Sequence, residues 1–170
     1  MLLALALAGC GGAAPAVPVA QATAPAGYAF PALVGRVVDK ADLLTPPQEA
    51  ALSAQSAALE KATGHQFVIV TVTSLGGHKI EDYGLALGNF WRLGRKGAND
   101  GVLLIVAPTE RKVRIEVGRG LESTLTNARA KAIIDDDILP AFRSGDMSGG
   151  IVAGTGKIID LLAPVGATST

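Results

Sequence analysis

"GVLLIVAPTERKVRIEVGRGLES", residues 101–123, decides the fold. Its first seven residues are apolar throughout, which marks a strand covered on both faces. Pro108-Thr109-Glu110-Arg111 turns the chain. Val113, Ile115 and Val117 then alternate with Lys112, Arg114 and Glu116. That period of two marks a half-buried strand. A link this short makes the two strands an antiparallel hairpin. The second strand runs into Gly118-Arg119-Gly120-Leu121-Glu122-Ser123, a glycine turn at a strand end, where phosphate and nucleotide sites often form.

Upstream lies "QFVIVTVT" (66–73), apolar at nearly every residue and rich in β-branched side chains, which predicts a central strand. A helix precedes it. Thr45 is placed to cap, Pro46 to occupy the first helical position, and Gln48 to complete a capping box. Leu52, Leu59 and Ala62 mark its inner face, and Gly64 stops it. Ile80, Tyr83, Leu87, Phe90 and Trp91 recur at helical spacing, giving a second helix ended by Gly94, with an aromatic stripe that reads as core. Gly84 and Gly88, four apart, are placed for close packing on the sheet. Downstream, a third helix is expected over 128–138 with Ala130, Ile133 and Ile134 inward and Pro140 kinking or ending it. Asp146 is placed to cap a last helix whose inner face carries Ile151, Ile158 and Leu162. Glycines 149, 150, 154 and 156 weaken that helix intrinsically. The pattern is α/β, in a single domain over 31–163, with 164–170 as a disordered tail.

The 170 residues carry 15 basic and 15 acidic side chains, for a formal net charge of zero, with few aromatics. No basic footprint with interleaved aromatics is present, which argues against a nucleic-acid partner. Cys10 is the single cysteine, so no intrachain disulfide forms. It ends "MLLALALAGC", a short apolar run with small residues before the cysteine. This resembles a bacterial lipobox, with 1–9 as signal peptide and Cys10 as the lipidated residue. The alternative is an ordinary signal peptide with a chance cysteine. Residues 10–30, uncharged beyond Cys10 and rich in Ala, Pro and Gly, read as a flexible tether from a membrane.

The glycine turn offers Gly118-x-Gly120-x-x-Ser123 rather than G-x-G-x-x-G, after the wrong strand, with Asp135, Asp136 and Asp137 in a helix instead of at a strand end. A nucleotide is therefore not expected. No G-x-S-x-G elbow occurs. His65 and His78 lack zinc-ligand spacing and read as surface residues. Carboxylates remain: Asp39 and Asp42 before the first helix, Asn99 with Asp100 at a strand start, and Glu122 at the hairpin's end. Asp100 and Glu122 are expected as neighbours, a combination that suits Ca²⁺ or Mg²⁺. Spacing alone favours solvated loop acids.

These motifs together resemble the TPM domain family over about residues 34–162. The resemblance is carried by "VVDKADLLT", "TGHQFVIVTVTSLGG", "IEDYGLALGNFWRLGRKGANDGVLLIVAPTERKVRIEVGRGLE" and "IIDDDILPAFRSGDMSGGI", in matching order and spacing. It implies a three-layer α/β/α sandwich around a small mixed sheet. It also implies an acidic groove binding a divalent cation, with Asp39, Asp100, Glu122 and Asp136 as its acids and Glu116 as a weaker candidate. Arg119 replaces a common aromatic, and Asn127 a common Asp. The resemblance implies two functions: an accessory module at the bacterial cell envelope, facing the periplasm or exterior and serving a membrane protein, or a metal-dependent acid phosphatase acting on phosphate monoesters. A chain ending in "APVGATST" makes the N-terminal lipid the expected membrane attachment.

Overall fold

In a computed structural model describing residues 24–164, β1 (Val37–Asp39), β2 (Gln66–Thr71) and β3 (Gly101–Ala107) run parallel, and β4 (Lys112–Val117) pairs antiparallel with β3. The order is β1-β2-β3-β4, so β2 is interior, as its apolar run requires. The expected hairpin forms, with Val102 opposite Val117 and Ala107 opposite Lys112. β1 is an addition to the three strands read from the sequence: three residues are too few for a period to show. Cys10, the expected signal peptide, tether residues 10–23 and tail residues 165–170 lie outside the described residues.

Alternation along the strands feeds two cores. Phe67, Ile69, Val102, Leu104, Val106 and Ile115 face one layer. That layer contains α1 (Pro46–Thr63), α3 (Asn127–Ala132), a π-helical segment (Ile133–Ile138), α4 (Leu139–Arg143) and α5 (Met147–Leu162). Val68, Val70, Leu103, Ile105 and Ala107 face the other, formed by α2 (Ile80–Phe90). The result is one mixed α/β domain with a four-stranded sheet flanked by helices.

The Thr45–Gln48 capping box starts α1, and Gly64, at φ 81°, ends it. The inner face of α1 differs from expectation. Ala62 is exposed, and Ser56 is buried between Leu52 and Leu59 because its hydroxyl donates to the Phe67 carbonyl. That bond satisfies a hydroxyl that would otherwise be costly to bury. On α2, a Cβ at Gly84 would lie 2.8 Å from Ile105 Cδ1, so this glycine does admit the sheet, whereas one at Gly88 would meet nothing within 4 Å.

The third helix is also revised. It is α-helical only to Ala132, then widens into a π-turn that buries Ile133 and Ile138 and leaves Ile134 half-buried. A spacing of five suits the i→i+5 ladder. The glycines of α5 explain its tolerance of that wide turn. A Cβ at Gly150 would come within 2.6 Å of Phe142, and one at Gly154 within 2.5 Å of Ile138. Asp146 caps α5 as expected, accepting from the Gly149 amide at 2.8 Å.

Ordered packing also begins earlier than the expected boundary at residue 31. Tyr28 stacks on His78 with centroids 3.9 Å apart, and Phe30 meets Tyr83 edge-on at 5.1 Å. Tyr83 Oη donates to Ala29 O, and Trp91 Nε1 to Pro31 O at 3.0 Å. Aromatic area separates Tyr28 and Phe30 from the featureless residues before them. Burial, with the charge of Glu110 adding to it, pushes the Tyr83 phenol up to about 12.

Candidate functional site

The four acids expected to share a groove stand on separate elements. Asp39 ends β1 opposite Thr71, and Asp100 precedes β3, whose first residue is opposite Gln66. The length of β2 therefore separates them, roughly 17 Å at about 3.3 Å per residue. Asp39 Oδ2 accepts from the Leu44 amide at 2.8 Å, and Oδ1 accepts from the Thr71 hydroxyl. Thr71 Oγ1 accepts in turn from the Ala41 amide at 2.9 Å. This small network fixes the connection from β1 into α1. Asp39 was legible as an acid beside a strand, but its partner Thr71, at the end of β2, was not.

Asp100 is 3% exposed. Its Oδ1 accepts from the Arg95 amide at 2.8 Å, and Oδ2 from Arg95 Nε at 2.7 Å, with His65 Nδ1 3.4 Å away. Burial pushes the Asp100 carboxyl up, but the hydrogen bonds from Arg95 and His65 more than reverse this and hold it at about 2. Asp100 also raises the pKa of Arg95, through the hydrogen bond first and their attraction second. His65 was read as a surface residue, and Arg95 was not singled out. The available signal was a basic pair, Arg95-Lys96, set between Gly94 and Gly97 and close before Asp100.

Glu122 is exposed beyond the 3₁₀ turn Arg119–Leu121, at the same end of the sheet as Asp100 but without sharing its partners. The backbone of residues 98–99 runs beneath that turn. Gly118 N donates to Gly101 O at 2.8 Å, and Gly120 N to Asn99 O at 3.1 Å. A Cβ at Gly118 would collide with the Asn99 carbonyl, and one at Gly120 with the Ala98 carbonyl. The glycine turn is thus a backbone-to-backbone contact, and neither glycine there has positive φ. Asp136 is exposed on the π-turn, and Glu116 is paired with Arg114 at 2.6 Å.

A divalent cation needs several oxygens converging on one point. Among the described residues, no three His, Cys, Asp or Glu side chains converge in that way. Asp39 has donors on both oxygens, and Asp100 already faces a guanidinium. The set Asp39, Asp100, Glu122 and Asp136 does not fit one shared ion.

Among several open concavities, one combines an apolar floor with a cluster of cations. A cleft of about 480 Å³ sits where β3 ends, at the side of the sheet facing α4. Pro108, Val113, Leu139, Phe142 and Met147 form its apolar floor, and Arg111, Lys112 and Arg143 stand around it. All three cations are exposed, and none is ion-paired with a described carboxylate. Ends of parallel strands are where open α/β sheets commonly bind ligands.

The TPM domain family matches residues 37–161. The chain belongs to the TPM domain family. As a TPM domain it resembles the solution structure of the N-terminal domain of a Porphyromonas protein (P. gingivalis), at 34% identity over 74% of this chain and 80% of that one, TM-score 0.70. An N-terminal domain from Corynebacterium glutamicum shares the fold at 15% identity, covering 84% of this chain and 88% of that one, TM-score 0.61. A protein from the psychrophilic bacterium Bizionia argentinensis does so at 20% identity, covering 72% and 83%, TM-score 0.60. No curated protein matches. Membership of the TPM domain family establishes the family and the fold.

Proposed function

We propose that this TPM domain is a non-catalytic interaction module, held at the bacterial envelope by a lipid on Cys10 and serving a membrane-protein partner. The observation that carries this reading is the cleft. None of its nine lining residues bears a hydroxyl, thiol, imidazole or carboxylate, and the one amine, on exposed Lys112, has no neighbouring group in the lining to activate it, so the cleft is equipped for binding rather than for nucleophilic or acid–base chemistry. Asp39 and Asp100, each held by hydrogen bonds on both oxygens, work as loop fasteners. Among the described residues no helix is long and apolar enough to cross a membrane.

Three measurements test the reading. A photo-crosslinking residue in place of Leu139 is expected to give one discrete adduct with a membrane protein in intact cells. The purified domain is expected not to hydrolyse p-nitrophenyl phosphate with calcium, magnesium or manganese. Turnover that disappears in Asp39→Asn would establish the phosphatase alternative instead. Cys10→Ser is expected to abolish lipid labelling and release the chain from membranes; unchanged fractionation would remove the anchor from the proposal.

A further inference from the structure

The cleft beside α4 combines three features. Its floor is apolar and recessed: Val113, Leu139, Phe142 and Met147 are each half-buried. Its rim holds three cations, although the chain as a whole carries no net charge. The acids next to it in sequence are engaged elsewhere. Glu110 Oε1 accepts from the Leu75 amide at 2.7 Å and from Ser74 Oγ, and Asp146 binds the Gly149 amide. The Leu75 amide, with Ser74 adding to it against the pull of burial, holds Glu110 below the usual carboxylate range, so it keeps its charge in that contact. Three like charges around one depression repel one another, and an anion placed between them relieves that repulsion.

The shape narrows the class of anion. A bilayer is flat, and the large apolar side chains most exposed on this domain, Leu33, Val34, Leu85 and Val152, do not line the cleft. Recessed apolar area is instead reached by a side chain that projects. The volume, about 480 Å³, lies within the usual range for pockets that enclose a compact group. We propose that the cleft docks an acidic segment of a partner protein, one large apolar side chain seated on Phe142 and Met147 and flanking carboxylates meeting Arg111, Lys112 and Arg143. The proposal rests on the interaction-module reading and gives it a recognition rule.

Arg111 allows a test that unfolding cannot imitate. It sits at φ 52°, a left-handed conformation that glycine adopts without strain. Arg111→Gly is therefore expected to keep or raise the melting temperature while weakening docking. The probe is the labelled, acetylated peptide EDFDE, followed by fluorescence anisotropy with the purified full chain. Expected results are saturable binding that weakens with salt, a loss of about tenfold in Arg111→Gly or Arg143→Gln, consistent with losing one charge-assisted contact, and little binding of EDGDE or QNFNQ. Equal affinity of wild type and both variants would overturn the proposal. So would displacement of the peptide by inorganic phosphate at equal concentration, which would mark a small-anion site, or binding of phosphatidylglycerol vesicles but not the peptide. If the peptide fails while the Leu139 crosslink to a membrane protein survives, the acidic rule falls and the interaction reading stands. If that crosslink is also absent, both fall.

Discussion

Asp100 is a carboxylate withdrawn from solvent and held ionised by its neighbours. An unfolded aspartate titrates near 3.8, and Asp100 in the fold near 2. Because the folded value is the lower one, the stabilisation is complete above pH 3.8 and is lost as the pH falls toward 2. Asp100→Asn removes the charge and mismatches one donor. It is expected to lower stability at neutral pH by about 1–3 kcal/mol, read by urea denaturation. The variant's melting temperature should also fall less steeply than wild type between about pH 5 and about pH 2. Parallel acid profiles would show that the pair contributes nothing to folding. At this scale the sequence was partly legible. It singled out Asp100 and Asp39, since an acid beside a strand needs a reason. It did not show their partners, because a guanidinium five residues away and a threonine 32 residues away become neighbours only when the strands align.

Helix α5 shows the same contrast one level up. Its cap and its apolar face were legible, because they follow from spacing along one element. Its glycines were read as intrinsic weakness, yet two of them make room for the π-turn, and a single helix cannot show what presses against it. Gly154 and Gly156 separate the two effects. A Cβ at Gly156 would meet nothing within 4 Å, so Gly156→Ala is expected to stabilise by about 0.5–1 kcal/mol through helix propensity. A Cβ at Gly154 would press on fully buried Ile138, and Gly154→Ala is expected to destabilise by about 1–3 kcal/mol despite the same propensity gain. Chemical denaturation of the two variants decides this, and stabilisation by both would mean that the π-turn packs more loosely than the glycine contact implies. The π-turn itself was illegible. Ile133-Ile134 invites an α-helical reading, and only the packing of Ile138 against α5 selects the wider ladder.

For the whole molecule, the three layers could be inferred from the strand pattern and the family resemblance, but the convergence of side chains could not. The hairpin placed Glu122 and Asp100 at one end correctly, and the inference stopped there, because the strand register says nothing about where a side chain turns. The N-terminal aromatics show the same limit, since Tyr28 and Phe30 pack on α2 from a stretch whose composition resembles a linker. A chain beginning at Leu33 is expected to fold cooperatively but, in urea denaturation, to be less stable than one beginning at Ala24 by about 2 kcal/mol for partial burial of two aromatic rings. Equal stability would show that the strap is only adjacent. The separation of the acids leads to a sharper expectation about calcium. One shared site would couple the two ends of the sheet, so amides near 39–44, 94–101 and 118–123 would shift together and saturate at one concentration. Here Asp100 is already neutralised by Arg95, and displacing that guanidinium would expose a buried carboxylate to the cost of losing its hydrogen bonds. In a calcium titration followed by NMR, amides 94–101 are therefore expected to stay unshifted at concentrations where exposed Glu122 or Asp136 begin to respond. Joint saturation of residues 39–44 and 94–101 would overturn that expectation, because it would require β1 and the β3 loop to rearrange around one ion across the length of β2.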